Sequence, residues 1–287
     1  MPAITYRQAI AQALREELAR DERVFIIGEG VGYGGGAFAA TAGMLAQFGE
    51  RRIRDAPRSD AMLVATAIGA AMGGLMPVVE ARNATLAVAA AAQLANYRAL
   101  PIVVRAPLGE GGGAGAFGNQ AVRMITPVSP ADAKGMLKSA IRSDGPVIVL
   151  EHRLLYDVTG EVPGDADYSE PLEGARVLRA GSDLTIVAYS RAVDDAVAAA
   201  AILESRGVSA ELIDLRALVP LDTATVGASI AKTRRSIIAS GGLPGAVAEI
   251  AAGIYRVAYP SLLSPIESVD TGRTSDIVNT AMRLAGA

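Results

Sequence analysis

The chain has no cysteine, no tryptophan and one histidine, and aromatics make up only 4% of its 287 residues. Without thiols there can be no disulfide, no thiolate nucleophile and no cysteine-held metal. With His152 as the sole imidazole, a histidine metal cluster is excluded, and so is any Ser-His-Asp triad away from that position. Neither sign of charge dominates: 27 Lys and Arg against 30 Asp and Glu leave a net charge of −3. Basic residues gather no further than two adjacent pairs, Arg51 with Arg52 and Arg234 with Arg235, which speaks against a nucleic-acid-binding face. Apolar runs stop well short of a bilayer span. The opening MPAITYRQ lacks the charged lead and apolar run of a signal peptide. The expectation is a soluble, cytoplasmic protein with no membrane and no nucleic-acid partner.

What is abundant is Ala and Gly within a 51% hydrophobic composition. Codon usage in a GC-rich genome and close helix packing both produce that bias. The length allows one large or two medium domains with a substantial core. Short apolar runs alternate with stretches of helical period. Thr5 can cap a helix over residues 6–20, with Ala9, Ile10, Ala13, Leu14 and Leu18 on one face. Residues 24–27, 78–80, 102–105 and 147–150 read as buried strands, with helices over 39–48, 86–97 and 130–142. Residues 160–174 turn polar and read as a linker. Beyond them, strands over 184–189, 210–215, 236–239 and 266–269 alternate with helices over 193–206, 223–232, 246–259 and 275–284. The expected fold class is therefore α/β, with two doubly wound domains. They are placed at residues 1–160 and 175–287, joined by a linker over 161–174.

Two glycine-rich loops, residues 28–36 and 108–120, follow strands. Neither has G-x-G-x-x-G spacing and neither leads into G-K-[ST]. Each stays open between tight turns and close approach to a ligand or neighbouring subunit. The most informative stretch is 54–80, RDAPRSDAMLVATAIGAAMGGLMPVVE. Asp60 stands where a helix should begin, and small residues follow it (Ala65, Ala67, Gly69, Ala70, Ala71, Gly73, Gly74). Such a helix lets another surface come close. A carboxylate at its start either faces that surface or caps the helix.

Taken together, Ile4-Thr-Tyr-Arg-Gln-Ala-Ile, residues 24–36 and 54–80, Asp132-Ala-Lys-Gly, PVIVLEHRLLY at 146–156 and ELIDLRALVPLD at 211–222 carry a resemblance. In this order they resemble the β subunit of thiamine-diphosphate-dependent 2-oxo acid dehydrogenases, the E1 component of pyruvate, branched-chain and acetoin complexes, within the transketolase superfamily. The resemblance spans nearly the whole chain. It implies a transketolase-like pyrimidine-binding domain followed by a flavodoxin-like transketolase C-terminal domain. It also implies thiamine diphosphate as cofactor, with Mg²⁺ and the diphosphate held by an E1α-like partner (a transketolase N-terminal-like chain). The active site then lies between subunits of a heterotetramer of two α and two β chains.

The family's key acid is a glutamate beside N1′ of the aminopyrimidine, where a charge-assisted hydrogen bond contributes roughly 1.5–3 kcal/mol. The resemblance places Asp60 there, one methylene and about 1.5 Å short. It places Glu29 near the pyrimidine, Leu86 where an aromatic ring is expected against it, and Arg58 on the same wall, two residues before the acid. The family's second-loop histidine aligns with Gly118. That histidine serves the substrate and the lipoyl arm. His152 lies elsewhere, in a strand-closing Leu-Glu-His segment, with a structural or interface role. Several loops are abbreviated. The functional expectation is a β-type subunit acting on a 2-oxo acid or ketose-like donor, by decarboxylation or by transfer of a two-carbon or acyl unit. Carboligation is favoured over lipoyl acylation. The alternative is a non-catalytic, degenerate scaffold that stabilises an α-like partner.

Overall fold

The computed structural model describes residues 3–36, 38–57, 59–109, 122–270 and 273–286, and only the backbone at positions 60, 61 and 244. The chain forms two compact units, with the division near the end of the polar stretch, between Leu172 and Glu173.

In the first unit, β1 (Ala3–Thr5) leads into α1 (Tyr6–Arg20) through a full capping box between Thr5 and Gln8. There follow β2 (Val24–Gly28), α2 (Met44–Phe48), β3 (Ile53–Asp55), α3 (Asp60–Met72), β4 (Met76–Glu80) and α4 (Ala84–Leu94). The unit closes with β5 (Val103–Leu108), β6 (Arg123–Ile125), α5 (Pro130–Ile141), β7 (Val147–His152) and β8 (Thr159–Glu161). β1 and β8 form an antiparallel pair. The others pair in parallel in the order β6-β7-β5-β4-β2-β3. Strands β2 and β7 are buried along their whole length, as expected where helices cover both faces of a sheet.

The polar stretch after β8 packs on this unit. Lys134 and Lys138 of α5 are fully buried. The Lys134 ammonium donates to the Pro163 carbonyl at 3.3 Å and pairs with Glu16 at 2.9 Å. Lys138 donates to Glu16 at 2.6 Å and to the Ala166 carbonyl. Ser139 donates to the Glu170 carbonyl at 2.6 Å. A buried ammonium is tolerated only when paired and hydrogen-bonded, and this stretch supplies the carbonyls.

The second unit runs β9 (Arg176–Arg179), β10 (Leu184–Ala188), α6 (Ala192–Ser205), β11 (Ala210–Asp214), β12 (Ala217–Val219), α7 (Thr223–Thr233), β13 (Ser236–Ser240), α8 (Pro244–Ala258), β14 (Glu267–Asp270) and α9 (Thr274–Ala285). Its sheet has the order β14-β13-β10-β11-β9, parallel except for β9 at the edge. Asp222 caps α7 by accepting the Thr225 N–H at 2.9 Å and also accepts the Ala175 N–H at 3.0 Å. Among the described residues no helix is long and apolar enough to cross a membrane.

Candidate active site

Open parallel sheets bind ligands beyond the carboxyl ends of the strands, where successive connections diverge. In the first unit β3 lies on one side of β2, and the next strand, β4, lies on the other. The divergence therefore falls between the ends of β2 and β4. Register aligns four residues along this edge. Gly28 pairs with both Asp55 and Glu80, and Glu80 pairs with Arg105.

The glycine-rich segment after β2 folds back over this edge. Gly36 has φ +78°, and a Cβ there would run into the Glu80 carboxylate, so neither the conformation nor the space suits another residue. Asp55 clamps the loop, its carboxylate accepting the Gly32 N–H at 2.7 Å and the Tyr33 N–H at 3.3 Å. Thr41, fully buried, donates to the Val31 carbonyl at 2.7 Å. Tyr33 is left at the exposed tip. Because charge-assisted bonds to backbone amides are strong, Asp55→Ala is expected to raise amide exchange at Gly32 and Tyr33 roughly ten-fold, with little change in melting temperature. Unchanged exchange would mean that the Thr41 anchor alone holds the loop.

Beneath the loop lies a buried ionic network. Side chains alternate along a strand, so residues in register on neighbouring parallel strands share a face. Glu80 and Arg105 are in register, and Glu151 sits two residues beyond Val149, the partner of Arg105. Arg105 grips Glu151 with two bonds, Nε to Oε1 at 2.8 Å and Nη2 to Oε2 at 2.9 Å, and reaches Glu80 with Nη1 at 3.2 Å. The Tyr156 hydroxyl donates to Glu151 at 2.6 Å. The Tyr6 ring meets Tyr156 edge-on, with centroids 5.9 Å apart, and Phe38 of the loop stacks on it at 4.6 Å. Burial, then the neighbouring Glu151, push both tyrosine hydroxyls well above their ordinary range, so both stay protonated. Burial alone would lower the Arg105 pKa, but Glu151 and Glu80 outweigh it and hold the guanidinium charged. Phe38, Ala40 and the three charged residues line a cavity of about 10 Å³, the room one water needs.

Two of the site residues expected from sequence flank the point of divergence. Glu29 directly follows β2, with its side chain 31% exposed and 3.9 Å from Arg82, which follows β4. Leu86 is half-buried in the first turn of α4, where its N–H is taken by the Asn83 cap at 3.0 Å. Asp60 is the first residue of α3, but Ser59 holds the N-cap position, so Asp60 stands one residue inside the helix. Arg58 and Gly118 lie outside the described residues. His152 closes β7 next to Glu151, buried, with Nδ1 accepting the Leu154 N–H at 3.3 Å. Sequence reasoning gave no role to Asp55, Glu80, Arg105, Glu151, Phe38 or Tyr156. The available signal was a charged residue within or closing an apolar strand, as at Glu80, Arg105 and Glu151.

Comparison with known proteins identifies the family of each unit. Residues 2–159 match the family described as the transketolase pyrimidine binding domain, and residues 173–277 match the transketolase C-terminal domain. The chain is 40% identical over 261 residues to the 2-oxoisovalerate dehydrogenase subunit beta of Bacillus subtilis, covering 83% of this chain and 79% of that protein. It is 38% identical over 279 residues to the mitochondrial pyruvate dehydrogenase E1 component subunit beta of Bos taurus, covering 88% and 78%. With the corresponding subunit of Mesostigma viride it shares 34% identity, covering 96% of each. A solved split-gene transketolase, an inactive beta4 tetramer, superposes with a TM-score of 0.76 at 21% identity, covering 99% of this chain and 98% of that one. The chain belongs to the family of β subunits of thiamine-diphosphate-dependent 2-oxo acid dehydrogenase E1 components, within the transketolase superfamily.

Proposed function

We propose that this β-type chain binds the aminopyrimidine half of thiamine diphosphate and that an E1α-like partner holds the diphosphate with its Mg²⁺. The observation that supports this reading most is the point of divergence between the ends of β2 and β4, with a carboxylate, Glu29, just after β2 and an apolar side chain, Leu86, in the first turn of the helix after β4. That pairing suits an aromatic ring carrying polar nitrogens: an apolar wall for the face and an acceptor for the edge. Asp60 opens α3 five residues beyond the end of neighbouring β3 and serves as the acid toward the ring, with Arg58 on the same wall. Bound thiamine diphosphate supplies a stabilised carbanion at its thiazolium carbon, the chemistry needed to cleave a bond beside a carbonyl. This chain's part is to hold the ring, keep a carboxylate at its edge and exclude water beneath the loop.

The reaction is decarboxylation of a 2-oxo acid, or transfer of a two-carbon or acyl unit from it or from a ketose-like donor. Gly118 stands where the family's lipoyl-handling histidine aligns. That replacement favours a small carbonyl acceptor, and so carboligation, over a lipoyl arm. The same departure, with Asp60 for glutamate, favours a second reading: a β-like scaffold that supports an α-like partner without turnover.

The test is calorimetric titration of thiamine diphosphate and MgCl₂ into the chain co-purified with its α-type partner, with the chain alone as control. Saturable binding by the pair is expected. A pair that assembles but takes up no cofactor would sink the proposal.

A further inference from the structure

Arg82 has a specific placement on this edge of the sheet. It stands two residues past the end of β4, just ahead of Asn83, which caps α4. Across the point of divergence stands Glu29, following β2. The Arg82 Nε lies 3.9 Å from a Glu29 oxygen, beyond hydrogen-bond length. The side chains are 47% and 31% exposed overall, although the Glu29 oxygen facing Arg82 is itself shielded from solvent, and the two groups form an ion pair at a distance too long for a mutual hydrogen bond. Arg105, the other guanidinium on this edge, is 2% exposed and committed to Glu151 and Glu80. The edge thus carries one guanidinium locked into the fold and one that is part-exposed and meets its carboxylate only at ion-pair distance.

We propose that Arg82 is a specificity-determining residue that binds an anionic group of the substrate, either the carboxylate of a 2-oxo acid or the phosphate of a phosphorylated sugar. A guanidinium presents a planar fork of donors that matches either anion with two parallel bonds. Glu29 at 3.9 Å marks the side from which the anion approaches, and a ligand at full hydrogen-bond contact replaces that weak pairing. The position of α4 adds to this: its positive end lies next to Arg82 and favours negative charge there. The assignment to catalysis rests on the thiamine-diphosphate reading, whereas the anion contact does not.

Two arms test it separately. In the full chain alone, the Arg82 Nε–H resonance, identified by its loss in Arg82→Lys, is followed while pyruvate, inorganic phosphate or fructose 6-phosphate is added at constant ionic strength. A saturable shift is expected. A response to pyruvate only identifies a carboxylate, and a response to the phosphates only identifies a phosphorylated sugar. No saturable shift with any of the three overturns the proposal, whether or not the assembled pair binds cofactor. In the assembled pair, Arg82→Gln is expected to raise KM for the anionic substrate roughly ten- to hundred-fold, leaving kcat and thiamine diphosphate affinity within about three-fold. Arg82→Lys should recover part of the loss, because it restores the charge without the fork. An unchanged KM in a pair that turns over would show that Arg82 only neutralises Glu29.

Discussion

Glu151→Ala is expected to lower the stability of the first unit by about 3–5 kcal/mol, because it leaves Arg105 charged, buried and half-paired. For a unit of this size that corresponds to a drop of roughly 6–20 °C in melting temperature. Arg105 and Glu151 are 2% and 1% exposed, so water cannot take over the lost partner. Three interactions go at once: both guanidinium bonds and the Tyr156 hydroxyl bond at 2.6 Å. Glu80 remains, at 3.2 Å from Nη1, and cannot satisfy the other donors. Glu151→Gln should cost less, since its amide oxygen still accepts from Nε or Tyr156. The informative comparison is the triple replacement Arg105→Met, Glu80→Gln and Glu151→Gln. It removes the buried charges together and should melt closer to the wild type than Glu151→Ala alone. If Glu151→Ala melts within about 2 °C of the wild type, the network is not what holds this edge.

That network also shows where reading the sequence stops. Each of its charged residues was visible within or at the end of an apolar strand, but Arg105 and Glu151 are 46 residues apart in the chain. Which acid meets which base is decided by the strand order β7-β5-β4, and the order is set by connections no local pattern encodes. The long apolar strands and amphipathic helices were legible because burial on both faces demands runs of Val, Ile and Leu. The three-residue strands β1, β3, β6, β8 and β12 were not, since three residues carry no periodicity. The helix expected over 39–48 shrinks to α2, Met44–Phe48, because the segment before it turns through left-handed backbone at Gly35, Gly36, Ala39 and Gly43. There the glycines signalled a fold-back loop, and the apolar pattern was misleading.

Functional legibility divides along the same line. Glu29 follows β2 and Leu86 opens the helix after β4, and it is the strand order that brings the ends of those two strands side by side. Asp55 was missed because its work is done on backbone amides of a loop 22 and 23 residues away, and an amide carries no sequence signal. Arg82 stood in the open within a segment read for the aromatic residue it lacks. A departure from a family's pattern draws attention to what is gone, and so away from Arg82, a part-exposed cation two residues past the end of β4.

Asp60→Ala, in the assembled two-chain enzyme, is expected to lower kcat at least a hundred-fold while leaving subunit assembly unchanged and the melting temperature within about 4 °C. A carboxylate positioned for proton transfer typically contributes 10²–10⁴-fold. Capping energy does not confuse the result, because Ser59 holds the N-cap of α3 and Asp60 lies inside the first turn. Loss of an acid in the first turn weakens a helix through its dipole by a few tenths of a kcal/mol to about 1. The conservative partner is Asp60→Glu. If the crevice is built for the longer family side chain, Glu restores about 1.5 Å of reach and matches or exceeds the wild-type kcat. If the ring sits closer to α3 in this enzyme, the extra methylene crowds it, and Glu lowers kcat by ten-fold or more while alanine remains the worse variant. The scaffold reading makes the opposite forecast: all three proteins assemble with the partner alike, and turnover by the pair is indifferent to position 60. Measured side by side with thiamine diphosphate affinity, the three rates separate an acid that touches the cofactor from a helix start that merely resembles one.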